Sequence, residues 1–525
     1  MRKRVVLALF STVAITVLFA ITPSAASAAT PTFDARQYLK EHGYLPLRGV
    51  ATLEAAKAHA AQVAAQHANP ASPVVAKPAL LAPVIGPSWQ GTNSNNLTPP
   101  DGNGAIGPNS YIETVNVRLA IYSRTGTQIA NSNFSTLTGN SNGSDPMVLW
   151  DPDTQRFYYN IWNTANATMD WGFSKDSNPT SIPGSFCRYE TAFGYAATSF
   201  PDYPKLGQTK DFLLIGVNFY PTSSSQQSTS SDVLWISKPQ GQGTITTCPA
   251  GSSFTSGKQT GLLNNDGSQA FTPIPAIQTD PSSTGYVLGM SDIECPPVCG
   301  TGTKLTVFTV TNSSGVPSFS APNSITVGSY TSPPSAPQKN TTRTLDTLDG
   351  RITHAVSGFD PNIGATGIWV SHTVAGGAGS QINWYEVNAG TGALAQSGSV
   401  SSGSLYVFNA GISNDRTCTA TTCAHGGNMV LGFTTSSSST FATVQMVSKV
   451  GSGAVSAFVS VKASTTNDKN FSCSPCRWGD YGGATPDPAA SLVASTGTVW
   501  LTNQWTAGGS FAQSGDRTWN WAATP

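Results

Sequence analysis

The chain has 525 residues, of which 10% are charged, with 27 Lys and Arg balancing 27 Asp and Glu. No basic run or basic–aromatic patch occurs, which argues against a nucleic-acid partner, whose binding is mostly phosphate neutralisation, and against an anionic membrane surface. Gly, Ser, Thr and Asn are abundant, a balance common in exported proteins.

Residues 1–28 begin Met-Arg-Lys-Arg, continue with an apolar run over 5–21 and close on "TPSAASA". A basic start, an apolar middle and small residues at a cut site predict a signal peptide cleaved after Ala28. The run is about long enough to span a bilayer, so a membrane anchor is the alternative; the Ala26-Ser27-Ala28 cut site favours cleavage. Losing Arg2, Lys3 and Arg4 leaves 24 basic against 27 acidic residues, about three net negative charges. The expectation is a secreted, extracellular monomer with no membrane insertion after cleavage. Residues 29–68 contain the Ala-rich "TLEAAKAHAAQVAAQHA", read as a short helical propeptide or stalk whose Ala face buries little. His59 and His67 share one face there and read as solvated surface. Residues 69–88 are Pro-rich and read as an extended linker.

From Trp89 to Pro525 short runs of β-branched and aromatic residues alternate with Gly, Pro, Asn, Asp and Ser clusters, without a long helix-period segment. That much uninterrupted strand exceeds one sandwich. The expected fold class is all-β, a single β-propeller over 89–525 with about seven four-stranded blades, which solves the problem by radial repetition. Internal echoes support blades: "SDPMVLWDPDTQRFYYNIWN" and "GDYGGATPDPAASLVASTGTVWLTNQW" both run strand, Asp-Pro turn, strand. A ring must join its ends or expose a sheet edge. "SWQGTN" and "DRTWNWAAT", with Trp519 and Trp521 alternating in a period of two, are the expected closing strands.

Eight cysteines in an exported chain should be oxidised. The simplest pairing is local: Cys295–Cys299, Cys418–Cys423 and Cys473–Cys476, with Cys187–Cys248 left over. "CSPC" is followed by "RWGDYGGATPDP", which cannot start a helix, so a thioredoxin-like redox motif does not fit. Its spacing with "CTATTC" does not match a zinc ribbon. The stretch reads as a disulfide-tightened corner with Arg477, Trp478, Asp480 and Tyr481 at a blade loop.

"PPDGNGAIGPNSYIETVNVRLAIYSRTG", "SDPMVLWDPDTQRFYYNIW", "FPDYPKLG", "VSHTVAGGAGSQINWYEV" and "RWGDYGGATPDP…TVWLTNQW" together resemble a family of large secreted bacterial proteins with a propeller-type β domain, over about residues 89 to 505. The resemblance implies secretion and a propeller, and no established chemistry. Similarity to sialidase-like propellers is weak, because the nearest stretch to their Asp-box, Ser514 to Trp519, lacks its Gly.

Several polar constellations are candidate sites. Asp101 and Asn103 in "PPDGNGAIG" form a fragment of a calcium loop, the one cofactor suggested, although turn chemistry explains them equally. Asp202, Tyr203 and Lys205 sit between two prolines, a rigid loop suited either to a structural corner or to a polar ligand. Arg351, His354 and His372 lie on strands, where a His is either a satisfied core residue or a base; His425 reads as a turn residue. A glycosidase needs two facing carboxylates, and Asp145, Asp202, Asp211, Asp360, Asp480 and Glu386 are available. Two functions follow. One is a secreted protein that binds an extracellular ligand, glycan or cell-wall material, through loops on one face. The other is a polysaccharide-active hydrolase or lyase with its site in the propeller funnel. Convergent ionisable groups in the funnel would favour the enzyme, a flat rim the binder.

Overall fold

The computed structural model describes residues 82–525 except 95, 223, 224, 226 and 294–299. The expected signal peptide, the Ala-rich segment, most of the linker and the Cys295–Cys299 pair lie outside the described residues.

The strand runs bury both faces by stacking sheet upon sheet around an axis, and seven antiparallel sheets form the blades of a propeller. Their innermost strands are Asn103–Ile106, Gly143–Asp151, Phe200–Gln208, Ala270–Pro275, Ile352–Asp360, Tyr406–Asn414 and Gly483–Pro486, for blades 1 to 7. Blades 4 and 5 carry five strands rather than four: Gly302–Ser313 pairs with both Val316–Phe319 and Asn323–Tyr330, and Ile277–Gln278 adds in parallel to the inner strand of blade 5. The one α-helix among the described residues is the five-residue turn Phe134–Thr138 between blades 1 and 2, anchored by buried Phe134 and Leu137. Near the axis the inner strands meet backbone to backbone. A Cβ on Gly483 would lie 2.7 Å from the amide nitrogen of Gly104, and one on Gly411 3.0 Å from the carbonyl oxygen of Gly483. Glycine at these positions lets blades 6, 7 and 1 close on one another.

The echoes noted in the sequence occupy equivalent places: Asp151-Pro152 and Asp487-Pro488 both follow the innermost strand, in blades 2 and 7. Three disulfides form as the spacing suggested: Cys187–Cys248, Cys418–Cys423 and Cys473–Cys476.

Blade 7 is built from both ends. Its strands run Gly483–Pro486, Val499–Ser510, Gln513–Thr524 and, outermost, Val84–Gln90. The closing strand therefore begins inside the segment read as a linker through residue 88. Pro87 is accommodated because the strand is at a sheet edge, with a register shift between Ile85 and Ser88. Trp89 wedges between blades, with ring centroids 5.7 and 5.6 Å from Tyr111 and Tyr122 of blade 1 and 5.6 Å from Trp500 of blade 7. Gly126, at φ 90, leaves room for the indole: a Cβ there would be 2.7 Å from it. Beside the wedge, fully buried Glu113 accepts from the Thr92 amide at 2.8 Å and from the Thr518 hydroxyl, tying blade 1 to both halves of blade 7.

Two predictions follow from closure. Removing residues 511–525 takes away the strand on which Val84–Gln90 pairs, and the propeller should lose cooperative unfolding by calorimetry; Trp89→Ala alone should cost about 3 kcal/mol. Burial pushes the Glu113 carboxyl up to about 7 despite hydrogen bonds from Thr518 and Thr92. The folded state thus keeps a proton that the unfolded chain releases near its ordinary value, so this group's stabilisation is full at low pH and is lost as pH rises to about 7. His354 and His372, held down to about 4 by burial, act oppositely below pH 6.5. Melting temperatures compared between wild type and Glu113→Gln from pH 5 to 8 isolate the carboxyl: wild type should lose ground to the variant as pH rises.

Candidate functional site

A left-handed backbone residue recurs at the entry of five of the seven innermost strands. Asp101, Asp145, Tyr203, Thr272 and Asn409 adopt positive φ, between 49 and 60°, just before or within the inner strands of blades 1, 2, 3, 4 and 6. In blades 2, 3 and 4 a proline follows, Pro146, Pro204 and Pro273, and the ladder register slips there. A non-glycine residue in this region costs of order 1 kcal/mol or more, so its surroundings must hold it. Asparagines do so: Asn116 Oδ1 accepts from the Asp145 amide at 2.9 Å, and Asn218 Oδ1 from the Thr272 amide at 3.0 Å. The bulges stand where the inner strands begin and gather at one end of the blade axis, the mouth of the propeller.

Blades 3 and 7 meet across that mouth. Tyr203 and Lys205, two residues apart on one strand, point the same way. The Tyr203 hydroxyl donates to the Asp480 carbonyl at 2.7 Å, and Lys205 Nζ to the same oxygen at 3.0 Å. The ammonium is caged, 3.3 Å from the Tyr481 ring centroid and 3.9 Å from that of Tyr203. Cation–π contact partly replaces the water a buried lysine gives up. The Tyr481 hydroxyl donates to Asp145 Oδ2 at 3.1 Å and to the Pro204 carbonyl at 3.1 Å. Blade 1 enters through Asp101, whose Oδ1 accepts from the Asp480 amide and Oδ2 from Asn116 Nδ2, both at 2.7 Å. Two arginines stand at the edge. Arg351 pairs with Asp349 and lies 4.7 Å over the Tyr203 ring. Arg477 pairs with Asp480 and reaches Asp346 at 3.5 Å.

Six carboxyls (Asp101, Asp145, Asp202, Asp346, Asp349, Asp480) thus gather with three cations (Lys205, Arg351, Arg477). This acidic excess in a dry site forces some carboxyls to keep protons. Burial, then the Asp202 charge, lifts Asp145 to about 7. Burial lifts Asp101 well above the carboxylate range, with Asp480 and Asp145 adding to it. Burial also lowers Lys205, against the pull of Asp480.

Of the residues singled out in the sequence, Asp101, Asp145, Asp202, Tyr203, Lys205, Arg351, Arg477, Asp480 and Tyr481 come together here. His354 lies just below, buried, close enough to feel the Lys205 charge; its Nδ1 sits 2.8 Å from the Ile412 carbonyl. That carbonyl fixes the proton on Nδ1 and leaves Nε2 as the basic nitrogen. Trp478 is elsewhere: it is 1% exposed, packed with Phe408 and Leu345, its indole N–H donating to Thr434. His372 is also a core residue, between the Gly350 carbonyl at 2.8 Å and the Tyr385 hydroxyl at 3.2 Å. Asn103 Oδ1, offered for calcium with Asp101, accepts from the Val148 amide at 2.9 Å, so all three side-chain oxygens of that pair are engaged by N–H groups. Asp360 and Glu386 meet each other in blade 5, where burial and then this partner raise Glu386 to about 8. Asp211 sits on the turn after the inner strand of blade 3, bonded to Asn312 at 2.9 Å. His425 is a turn residue at φ 59 whose Nε2 lies 2.8 Å from the Ser491 carbonyl. Sequence reasoning missed Asn116, Asp346 and Asp349. The recurring bulge, a polar residue before proline at the start of "SDPMV", "DYPKL" and "FTPIP", was the signal that would have aligned the blades.

Because the Tyr481 hydroxyl lowers Asp145, Tyr481→Phe should leave the fold intact and move the Asp145 midpoint above its wild-type position near 7. Carboxyl carbon shifts followed by NMR between pH 5 and 9 measure it; an unchanged midpoint would remove Tyr481 from the proton's environment.

No family model matches the chain, and no curated protein matches it. Among solved structures it is similar to the propeller of Dos1 (TM-score 0.35, 11% identity, 83% of this chain and 94% of that one). It is similar to the quinohemoprotein alcohol dehydrogenase of Comamonas testosteroni (0.34, 8%, 79% and 65%) and to the subtype N11 neuraminidase-like protein of A/flat-faced bat/Peru/033/2010 (0.35, 9%, 73% and 88%). What the chain has in common with known structures is weak similarity to propellers.

Proposed function

We propose that this is an exported protein, with the propeller beginning after a signal peptide and a short stalk, and that it takes a polar extracellular ligand, glycan or cell-wall material, at the Asp145–Asp202–Arg351–Arg477 mouth. The observation that carries this reading is the meeting of ionisable and aromatic side chains from blades 1, 2, 3 and 7, with Arg351 before blade 5, at one end of the axis. Partly buried Asp145, Asp202, Arg351 and Asp480 surround a floor of fully buried Tyr203, Lys205 and Tyr481. Hydroxyl-rich ligands are recognised by such planar charged groups, each able to take or give two hydrogen bonds.

A second reading, cleavage of that glycan, is favoured by one specific feature. Burial and then the Asp202 charge hold the Asp145 proton to about 7, and glycoside hydrolysis uses two such neighbouring carboxyls, one as acid and one as base or nucleophile. Asp145 would donate to the leaving oxygen, and Asp202 would act on the opposite side. Both groups stand at the mouth rather than in the buried core, which such a role requires.

One experiment separates the readings. Wild type, Asp145→Asn, Asp202→Asn and Arg351→Ala are assayed on a panel of cell-wall and plant polysaccharides for both binding and reducing-end release. Binding without release, weakened tenfold or more by Arg351→Ala, supports the binder. Release that falls by at least about 100-fold in Asp145→Asn with binding kept, and that declines as pH rises through 7, supports the enzyme. Mouth variants that bind and release as wild type does would reject both.

A further inference from the structure

The Cys473–Cys476 disulfide stands in an unusual place. It closes the turn immediately before Arg477, Asp480 and Tyr481, so it fixes the chain that carries blade 7's share of the mouth. Besides the crosslink, the Cys473 amide donates to the Asn470 carbonyl at 2.9 Å, and the residues after the turn are anchored through Trp478 to Thr434 and through Asp480 to Asp101, Tyr203 and Lys205. Cys476 makes one parallel bridge to Leu345, its amide donating to the Thr344 carbonyl at 2.7 Å and its carbonyl accepting from the Asp346 amide at 2.8 Å. Asp346 is itself a partner of Arg477, so the bridge and the mouth are one mechanical unit.

The two sulfurs differ. Cys473 is half-buried, whereas Cys476 is 0% exposed, so Cys473 is the sulfur nearer solvent. Against them lies Asp468: one of its carboxylate oxygens and both sulfurs fall within 4.8 Å of one another. Asp468 is fully buried. Its Oδ1 accepts from the Asn470 amide at 3.1 Å, and its Oδ2 has no hydrogen-bond partner among the described residues. A buried carboxyl with one unsatisfied oxygen beside a disulfide is expensive unless it holds a proton. Burial and the neighbouring Asp516 both push Asp468 toward that protonated form.

We infer that Cys473–Cys476 is a reducible clasp, opened by a small or protein dithiol, with Asp468 supplying the proton to the leaving sulfur, and that opening it releases the Arg477–Tyr481 side of the mouth. The thiolate of the dithiol attacks Cys473 Sγ, forming a mixed disulfide and breaking the bond to Cys476. Cys476 leaves as a thiolate and takes the proton from the Asp468 carboxyl. The dithiol's second thiol then attacks its own sulfur in the mixed disulfide, leaving as a cyclic disulfide and freeing Cys473. Two electrons and two protons pass from the dithiol to the protein, and Asp468 is reprotonated from solvent. No helix follows the pair to activate Cys473 as an attacking thiol, so the chain acts as the acceptor in this exchange and not as an oxidoreductase. The clasp stands on its own geometry; only its effect on ligand rests on the proposed function.

The test uses the whole protein and dithiothreitol, with iodoacetamide trapping, peptide mass mapping and amide hydrogen exchange. Cys473 and Cys476 should be alkylated well before Cys187, which lies in the core, and exchange over residues 477–481 should rise with that alkylation and reverse on reoxidation. Cys473→Ala with Cys476→Ala should show the raised exchange from the start and no further response to dithiol. Asp468→Asn should slow reduction about tenfold or more at pH 6.5 and flatten its pH profile, as loss of a general acid does. Resistance of the pair until global unfolding, or alkylation with no change over 477–481, would overturn the clasp. An unchanged pH profile in Asp468→Asn would overturn the proton donor. If the polysaccharide panel finds no ligand, the exchange readout still decides this inference.

Discussion

Seven sheets share an axis only if the seventh can meet the first, and that constraint governs most of what is unusual here. The outermost strand of blade 7 comes from Val84–Gln90 and its other three from the last part of the chain. At this seam residues over 400 apart in sequence are hydrogen-bonded, as in Thr518 with Thr92 and Thr98 with Asp516. Trp89 supplies apolar burial at this seam and Glu113 a polar lock. Because the lock is a buried carboxyl, the ring's stability is tied to proton uptake.

The same geometry makes the mouth. The inner strands of blades 6, 7 and 1 touch backbone to backbone and leave no space for side chains at those contacts, and bulky polar groups collect where the strands begin. The positive-φ bulges at Asp101, Asp145 and Tyr203 stand at those beginnings. Strain at these positions is sustained by asparagine side chains and by Asp101 accepting from the Asp480 amide. Local strain held by surrounding hydrogen bonds is a frequent companion of binding and catalytic sites. Here it brings a lysine, two tyrosines and several carboxyls together, and burial raises Asp101 and Asp145 and lowers Lys205.

The loop from Cys473 to Tyr481 links the two themes. It lies beside the closing blade, pinned by a disulfide, one short bridge and the indole bond of Trp478 to Thr434, and the Asp480 backbone atoms are used by blades 1 and 3. Asp480 illustrates the economy of the arrangement. Its amide donates to Asp101, its carbonyl accepts from Tyr203 and Lys205, and its side chain holds Arg477. A single loop thus sets the position of groups from three blades.

The fold class was legible in the sequence because a blade is local. Alternating strands, Asp-Pro turns after the inner strand and glycine-rich crossings are written in neighbouring residues, and the pairings of Cys418–Cys423 and Cys473–Cys476 follow from proximity along the chain. The site was legible only as a set of rigid polar stretches, "SDPM", "FPDYPKLG" and "RWGDYGG". Which of them meet depends on the order of blades around the ring, a long-range property. Tertiary structure decided that Asp145, Lys205 and Asp480 converge while His372 and Trp478 turn into the core, since alternation along a strand gives two faces but does not say which one looks at the axis. It also decided that Val84–Ser88 is strand rather than linker: a proline-rich edge pairs only when the far end of the chain is there to receive it.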